Sequence, residues 1–291
     1  MHRADSSTDS AQIDPAALVE LRALAERLAH EAGTTALAGR RRLPVGQPPA
    51  HDTKSSATDP VTEFDRAAEA HIVAELRRLR PDDAIIGEEG AADSGTSGIA
   101  WHIDPIDGTA NFMYDLPAWC TSIAAVRSGG PITDALAGAV YAPVTNEMFT
   151  AHRGGGATLD GAAIHATQAD DLATALIGTG FSYLEDRRVI QADRISVLLP
   201  RVRDIRRYGS AAIDLAYVAC GRLDAYFEEH LNSWDMAAGL LIATEAGAIV
   251  SGFDGDHPDE RSTVAAAPGI HAALLTAIRD AAPGAAATGG D

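Results

Sequence analysis

The segment 104–109, Asp-Pro-Ile-Asp-Gly-Thr, constrains the fold of this chain more than any other. It directly follows the short apolar stretch 99–103, and this pattern predicts a buried strand that runs into a turn. Two carboxylates near a buried strand end are costly to ionise together unless a cation binds between them. Oxygen-rich sites of this kind suit hard divalent cations such as Mg²⁺. The segment therefore predicts a metal site at the end of a strand.

Two further segments carry acidic residues in a similar setting. Glu88 and Glu89 follow the short apolar run 84–86, and Asp235 stands at the start of an apolar helical stretch. If these segments converge on the first one, they form an oxygen-rich pocket for divalent metals. The glycine turn at the end of the first segment would then bring backbone N–H groups towards an anion held by those metals.

Composition excludes several classes of protein. The 291 residues suit one large domain or two intimately packed halves, and the net charge of −18 is unfavourable for binding nucleic acid. Cys120 and Cys220 stand in apolar surroundings, so we expect buried free thiols and no disulfide framework. Residues 1–10 lack the apolar core of a signal peptide, and the apolar stretch 236–250 is too short to span a membrane. We therefore expect a cytoplasmic protein that contacts neither membrane nor nucleic acid directly.

The first 60 residues predict one helix and a long connection. Asp14-Pro15 reads as a helix cap followed by proline at the first helical position, and Gly33 is expected to end this helix. Residues 34–58 are rich in Arg, Pro, Ser and Thr and predict an irregular loop. The run 40–42, Arg-Arg-Arg, is interpreted as a solvated surface segment.

The middle of the chain begins with a second helix and continues in strands. Thr62 is expected to cap this helix with Asp65 three residues later, and Pro81 stops it. From residue 84 to about residue 163 the pattern is strand and turn, with 136–141 and 147–151 predicted to pair.

After residue 170, short strands alternate with helices, which predicts an α/β half. The expected strands are 175–179, 205–208, 225–228 and 248–251, and the expected helices are about 187–199, 210–220, 235–246 and 269–281. We expect a single domain at 14–282, made of an α+β half (14–165) and an α/β half (170–282), between mobile tails at 1–13 and 283–291.

Several motifs along the chain resemble the inositol monophosphatase family. In order they are Lys54-Ser-Ser56, Asp59-Pro-Val-Thr-Glu-Phe-Asp65, Glu88-Glu89, Asp104-Pro-Ile-Asp-Gly-Thr-Ala-Asn-Phe112, Gly209-Ser-Ala-Ala212 and Trp234-Asp-Met-Ala-Ala-Gly239. The resemblance implies a Mg²⁺-dependent, Li⁺-sensitive phosphomonoesterase that forms a homodimer. It also implies a layered αβαβα sandwich of α+β and α/β character, as in fructose-1,6-bisphosphatase-like sugar phosphatases.

The same resemblance implies the ligands of two or three Mg²⁺ ions. One ion would be held by Glu88, Asp104 and the carbonyl of Ile106, and a second would be shared by Asp104, Asp107 and Asp235. A weaker third ion would contact Glu88 through water. Each ligand is a hard oxygen, which is the donor type that Mg²⁺ prefers.

Further residues are assigned to catalysis and substrate binding. Thr109 would relay a proton from water to Asp65, and Glu88 would join these two as a catalytic residue. Lys54 and Asp59 would close a loop over the metals. The substrate would be contacted by Asp107, Gly108, Thr109, Gly209, Ser210, Ala211, Glu228 and Asp235.

The expected function is hydrolysis of myo-inositol 1-phosphate to myo-inositol and phosphate, by direct attack of a metal-activated water. The Asp-x-x-Asp spacing does not fit phosphatases that form a phosphoaspartate, which use Asp-x-Asp-x-Thr, and P-loop and His-Glu-x-x-His motifs are absent from the sequence. Fructose-1,6-bisphosphatase, histidinol-phosphatase and 3′-phosphoadenosine 5′-phosphate phosphatase remain alternatives. An alternative of another class is a regulatory binding protein associated with transcription.

Overall fold

A computed structural model describes residues 13–44, 46–54 and 59–281. The predicted mobile tails, apart from residue 13, lie outside the described residues, as do Ser55 and Ser56. The helices are α1 (Pro15–Arg40), α2 (Glu63–Leu79), α3 (Thr109–Met113), α4 (Glu185–Leu198), α5 (Ala211–Ala219), α6 (Ser233–Glu245) and α7 (His271–Asp280). The strands are β1 (His51–Thr53), β2 (Pro60–Thr62), β3 (Ala84–Gly87), β4 (Ala92–Asp93), β5 (Ile99–Asp107), β6 (Cys120–Arg127), β7 (Ala135–Ala142), β8 (Glu147–His152), β9 (Ala157–Leu159), β10 (Ala162–Ile164), β11 (Leu176–Thr179), β12 (Asp204–Arg206), β13 (Ala225–Glu228), β14 (Ile249–Ser251) and β15 (Thr263–Ala266).

Two large sheets and three helical layers form the fold. The first sheet has eight strands in the order β10-β9-β8-β7-β6-β5-β3-β4, and the second has five in the order β12-β11-β13-β15-β14. Helices α1 and α2 pack on the outer face of the first sheet, α5 and α6 lie between the sheets, and α7 packs with α4 on the outer face of the second. This arrangement confirms the predicted layered αβαβα sandwich.

The central layers explain why some elements are apolar on every side. All residues of β7 are buried, as are those of β6 except its last, because helices cover both faces of this sheet. Helix α6 is buried from Met236 to Ala243 because it lies between two sheets. The predicted pairing of 136–141 with 147–151 is confirmed as the antiparallel pair β7–β8.

Helix α1 begins where the sequence predicts, but Gly33 does not end it. Asp14 caps the helix by accepting a hydrogen bond from the Ala16 N–H at 2.9 Å. The helix continues to Arg40, so the prediction of an irregular loop from residue 34 is wrong for its first seven residues. Gly33 serves close packing instead, because a Cβ there would lie 2.8 Å from Cδ1 of Tyr141. Tertiary contact therefore overrides the helix-ending tendency of this glycine.

The interpretation of 40–42 as a solvated run is wrong for its first member. Arg40 is buried, and its Nε donates to the carbonyl of Phe112 at 2.9 Å. Its neighbour Arg41 is exposed, as predicted. The Arg40 guanidinium satisfies a backbone acceptor at the end of α3, which a sequence pattern of three arginines does not reveal.

The second half follows the predicted alternation with one addition. The strands expected at 175–179, 205–208, 225–228 and 248–251 correspond to β11, β12, β13 and β14, each within two residues of its predicted ends. Strand β15 was not predicted, and it pairs antiparallel with both β13 and β14.

In the first half of the chain, the capping box predicted for α2, Thr62 with Asp65, is confirmed.

Replacement of Arg40 by methionine should destabilise the fold, because the substitution leaves the Phe112 carbonyl without its charged donor. We expect a loss of roughly 1.5–3 kcal/mol in the free energy of unfolding, measured by urea titration. The matched control is Arg41→Met, which should change this free energy by less than about 0.5 kcal/mol. Equal effects of the two substitutions would contradict a structural role for the Arg40 hydrogen bonds.

Candidate metal and phosphate site

Two neighbouring parallel strands bring the first acidic residues together. Strands β3 and β5 pair in parallel, with Gly87 opposite Ile103. Glu88 follows the last residue of β3, and Asp104 follows Ile103 within β5, so the two acidic residues lie next to each other where β3 ends. This convergence was predicted from the apolar runs that precede both residues.

A β-bulge explains how Asp104 and Asp107 serve one site. Residues three apart on a regular strand point to opposite faces of the sheet. The register between β5 and β6 shifts between Asp104 and Asp107, which interrupts the alternation. The N–H of Ile106 donates to Oδ1 of Asp104 at 3.0 Å within this irregular stretch. The Asp-Pro-Ile-Asp spacing therefore requires the bulge to aim both carboxylates at one place.

Helix α6 brings the third carboxylate from the second half of the chain. Asp235 lies in its first turn and accepts a hydrogen bond from the Asn232 N–H at 2.6 Å. One carboxylate oxygen each of Asp104, Asp107 and Asp235 can be chosen so that all three lie within 4.8 Å of one another. This cluster joins two of the three segments that the sequence singled out, and Glu88 from the remaining segment lies beside it.

Burial and mutual repulsion dominate the electrostatics of the cluster. Burial, followed by repulsion from neighbouring carboxylates, raises the pKa of Asp104 well above its usual range. Burial also raises the pKa of Asp107 to about 6, although hydrogen bonds from the start of α5 act to lower it. The pKa of Asp235 is raised by burial and by repulsion from Asp107. The three groups thus share a need for positive charge.

Asp107 is fixed by the N-terminus of α5. Its Oδ2 accepts from the Ser210 hydroxyl and from the Ala212 N–H, both at 2.7 Å. Ser210 also caps α5 by accepting from the N–H of Ile213 at 3.2 Å. Ser210, which was predicted to contact substrate, therefore also positions a carboxylate of the acidic cluster.

Glu88 and Lys54 face each other at the edge of the cluster. The Lys54 ammonium lies 2.9 Å from Glu88 and also contacts Glu89. Burial lowers the pKa of Lys54, but the two glutamates outweigh this effect and raise it overall. The backbone N–H of Lys54 donates to the carbonyl of Asp59 at 2.9 Å, so the two predicted loop residues lie together in the lining of the pocket.

Thr109 and Asp65 form a hydrogen-bonded pair beside the carboxylates. The Thr109 hydroxyl lies 3.2 Å from Oδ1 of Asp65 and 3.1 Å from the carbonyl of Ile106. The other oxygen of Asp65 accepts from the N–H and the hydroxyl of Thr62. Burial raises the pKa of Asp65, against the opposing effect of the Thr62 donors. Asp65, the acidic member of the α2 capping box, is thus also the acceptor for the Thr109 hydroxyl.

Two glycines with positive φ form the wall next to this pair. Gly108 has φ of 95°, and Gly209 has φ of 92°. A Cβ on Gly108 would lie 3.0 Å from the carbonyl of Ala118 and 3.1 Å from that of Gly209, so only glycine fits this close approach. Asn111, a member of the 104–112 motif for which the sequence predicts no role, links the same region by donating to the carbonyls of Ala118 and Tyr208.

A pocket of about 450 Å³ is lined by the acidic cluster, by Glu88 and Thr109, and by the predicted substrate residues. Gly209, Ser210 and Ala211 line one side, and Glu228 lies at the end of β13. Glu228 accepts a hydrogen bond from the Tyr226 hydroxyl, and burial raises its pKa to about 7. The pocket also contains Arg187 and Arg207, which no sequence motif identified.

The donor set fits divalent cations. The cluster offers carboxylate oxygens only, as Mg²⁺ prefers, and burial together with repulsion from neighbouring carboxylates raises the pKa of each member. Oε2 of Glu88 is buried and has no hydrogen-bond partner. A bound cation would give this oxygen a partner and would at the same time neutralise the charge of the cluster.

The comparisons with known proteins agree with this geometry. The family model described as "Inositol monophosphatase family" matches residues 17–283. "Inositol-1-monophosphatase" of Mycobacterium leprae is 42% identical over 276 residues, covering 89% of this chain and 94% of that protein. "Nus factor SuhB" of Xylella fastidiosa is 47% identical over 206 residues, covering 70% and 73%. The solved structure "Mycobacterium tuberculosis SuhB" has a TM-score of 0.76 at 40% identity, covering 92% of this chain and 98% of that one.

The chain belongs to the inositol monophosphatase family. This family consists of metal-dependent phosphatases that act on small phosphate substrates, and the acidic cluster of this chain is suited to bind metal. No helix within the described parts of the chain combines the length and the apolarity that crossing a membrane requires.

The cluster should make the stability of the metal-free protein fall as pH rises. Asp107 titrates near pH 4 when unfolded and near pH 6 when folded, so the folded state holds more protons between these values. The contribution of Asp107 to the free energy of unfolding is therefore greatest below pH 4. Roughly 2–3 kcal/mol of this contribution is lost as pH rises through 6. Thermal unfolding in EDTA from pH 4 to 8 measures this loss.

Added Mg²⁺ should remove much of this pH dependence, because it binds the deprotonated cluster of the folded state. Asp107→Asn should flatten the profile in EDTA, whereas the exposed control Asp254→Asn should leave it unchanged. An identical dependence of stability on pH in wild type and Asp107→Asn would contradict the assigned link between protonation of Asp107 and folding.

Proposed function

We propose that this member of the inositol monophosphatase family is a Mg²⁺-dependent phosphomonoesterase that hydrolyses myo-inositol 1-phosphate. One observation carries the proposal: the cluster of Asp104, Asp107 and Asp235 lies in one pocket with Thr109, which is hydrogen-bonded to Asp65. The cluster can hold the cations that bind a phosphate group, and the pair can remove a proton from water. These are the two chemical requirements of phosphate-ester hydrolysis.

The acidic residues would hold two Mg²⁺ ions. Glu88, Asp104 and the carbonyl of Ile106 are the proposed ligands of one, and Asp104, Asp107 and Asp235 are those of another. A third, weaker ion could be reached by Glu88 through water. When bound, Mg²⁺ would supply positive charge that neutralises the phosphate and eases deprotonation of a water molecule.

Thr109 and Asp65 would carry the proton of the attacking water. The Thr109 hydroxyl already donates towards Asp65, so it can accept a proton from water as it passes its own to the carboxylate. The raised pKa of Asp65 makes it a stronger base than a solvated aspartate. The water oxygen forms the new bond to phosphorus, the bond from phosphorus to the ester oxygen breaks, and that oxygen takes up a proton from solvent so that the alcohol is released. The phosphate would then leave without a covalent enzyme intermediate.

Glu228 would bind the alcohol part of the substrate. Its carboxylate lines the pocket, and one oxygen is occupied by the Tyr226 hydroxyl. Carboxylates accept strong hydrogen bonds from hydroxyl groups, and inositol offers hydroxyls around its ring. Gly209, Ser210 and Ala211 would form the opposite wall with small side chains.

A regulatory role is the second candidate, because relatives such as the Xylella fastidiosa protein bear the name "Nus factor SuhB". It is tested by pull-down of wild type and Asp104→Asn from bacterial lysate. Enrichment of RNA polymerase with both proteins would support a transcription-associated role that is independent of catalysis. Its absence with both would exclude this candidate.

The catalytic proposal is tested with a panel of phosphate monoesters in the presence of Mg²⁺, with and without Li⁺. We expect turnover of myo-inositol 1-phosphate that requires Mg²⁺ and is inhibited by Li⁺. Fructose 1,6-bisphosphate, histidinol phosphate and 3′-phosphoadenosine 5′-phosphate test the other members of the superfamily. Asp104→Asn should abolish turnover while retaining the folded circular-dichroism spectrum. Substantial turnover by this variant would contradict the proposed role of Asp104 as a metal ligand in catalysis.

The proposed proton path predicts non-additive losses. Thr109→Ala and Asp65→Asn should each lower kcat by about 10²-fold or more, which is typical for removal of a general base. Because both residues act on one proton, the double variant should be much less impaired than the product of the single losses. Steady-state kinetics of the four proteins measures this, and multiplicative losses would argue against a shared path.

The proposed role of Glu228 predicts selective loss of substrate affinity. Glu228→Ala should lower kcat/KM for myo-inositol 1-phosphate by about 10- to 100-fold, as expected for loss of one charged hydrogen bond. An aryl phosphate has no hydroxyls to offer, so its kcat/KM should change far less. Mg²⁺ affinity should remain intact because Glu228 is not a proposed ligand. Equal losses on both substrates would show that Glu228 supports the pocket in general.

A further inference from the structure

A buried glutamate of helix α2 contacts the turn that carries Glu88. One carboxylate oxygen of Glu69 accepts a hydrogen bond from the backbone N–H of Glu89 at 2.7 Å, and the other accepts one from the N–H of Ala91 at 3.0 Å. Hydrogen bonds to an ionised carboxylate are stronger than those between neutral groups. Glu69 therefore fixes the backbone of this turn at two points.

The first of these contacts completes the anchoring of the backbone around Glu88. The N–H of Glu88 donates to the carbonyl of Ile103 at 3.2 Å, and Ile103 directly precedes Asp104 in β5. The next N–H along the chain is that of Glu89, and Glu69 accepts it. The peptide groups on both sides of Glu88 are thus bonded to two different elements, β5 and α2.

The close approach of Glu69 depends on a glycine. A Cβ on Gly87 would lie 2.4 Å from Oε2 of Glu69 and 2.8 Å from its Cδ. Gly87 lies in strand β3, where other residue types also fit the backbone, so its lack of a side chain serves this contact. A larger residue there would displace the carboxylate from the turn.

Glu69 and Lys54 act on different parts of the turn. The Lys54 ammonium contacts the side chains of Glu88 and Glu89, whereas Glu69 holds the backbone. A cation bound by Glu88 would compete with the Lys54 pair and would leave the bonds to Glu69 in place. Glu69 is therefore suited to hold the turn both with and without a metal.

The same helix carries the proposed base. Asp65 and Glu69 are four residues apart in α2, which places them one turn apart on one face of the helix. Asp65 is hydrogen-bonded to Thr109, and Glu69 is hydrogen-bonded to the turn that carries Glu88. One helix thus contacts the proposed proton path and the support of a proposed metal ligand.

We propose that Glu69 is a positioning residue that holds Glu88 in place for a divalent cation. This role rests on the proposed function, because it takes Glu88 as a ligand of Mg²⁺. Glu69 would contact neither the cation nor the substrate, and it would act by fixing the backbone from which Glu88 extends. Groups that orient a metal ligand typically contribute about 10- to 100-fold to metal affinity.

Calorimetric titration of the metal-free protein with Mg²⁺, in the absence of substrate, tests this role. Glu69→Gln retains the size of the side chain but replaces one acceptor oxygen with an amide group that cannot accept an N–H. We expect it to weaken Mg²⁺ binding by about 10- to 100-fold. The matched control is Glu63→Gln, at an exposed position of the same helix, which should change the affinity by less than about twofold.

The Glu88→Gln background separates positioning from a general structural role. If Glu69 acts through Glu88, the addition of Glu69→Gln to Glu88→Gln should weaken Mg²⁺ binding further by less than about threefold. Equal losses in the two backgrounds would overturn the proposed role of Glu69. Unchanged Mg²⁺ affinity in a folded Glu69→Gln protein, even one of lower thermal stability, would overturn it as well.

The titration also keeps this role distinct from the phosphatase proposal. A wild type that binds Mg²⁺ but hydrolyses no phosphate ester would refute the phosphatase activity, and the comparison of Mg²⁺ affinities would still decide the role of Glu69. A wild type that does not bind Mg²⁺ would overturn both.

Amide hydrogen exchange of the wild type, measured by NMR, decides the case in which Glu69→Gln does not fold. The N–H groups of Glu89 and Ala91 should exchange slowly in EDTA, because Glu69 holds the turn before any cation binds. Slow exchange of both amides without Mg²⁺ would support the positioning role. Rapid exchange without Mg²⁺ would overturn it, because the turn would then be ordered by the cation.

Discussion

Repulsion among buried carboxylates is the constraint on which the rest of the structure depends. Asp104 and Asp107 are buried, and Asp235 meets them from another layer of the fold. Unpaired charges at this depth are unfavourable by several kcal/mol each. The β-bulge in β5 and the approach of α6 serve to hold these groups together against that repulsion. The fold thus concentrates negative charge at one point, where a bound cation would neutralise it.

The surrounding donors divide the roles of the carboxylates. Asp107 receives two hydrogen bonds from the start of α5, which favour its ionised form, whereas Asp104 is surrounded mainly by other acids. Asp65 is separated from the cluster by Thr109 and receives its own donors from Thr62. Carboxylates that are similar in sequence therefore differ in their surroundings, and under the proposed mechanism this difference would allow one to act as a base while others bind metal.

The sequence identifies those parts of the site that depend on local pattern. Glu88, Asp104 and Asp235 each follow or open an apolar run, and such runs predict where strands end and helices begin. Gly33 and Arg40 could not be interpreted in this way, because their roles depend on Tyr141 and Phe112, which lie far away in the chain. Local pattern indicates a helix end and a solvated arginine, and long-range packing decides otherwise.

Arg206 and Arg207 show the same effect of packing on neighbouring residues. The two have the same side chain, yet Arg206 pairs with Asp204 and Arg207 packs on Gly209 inside the pocket. Only the path of the chain between β12 and α5 separates the two environments. The positive φ of Gly209 turns the backbone there and leaves room for the guanidinium. The carboxylate spacing that suits metal binding can therefore be read from the sequence, whereas the turn at Gly209 decides which of two adjacent arginines lines the pocket.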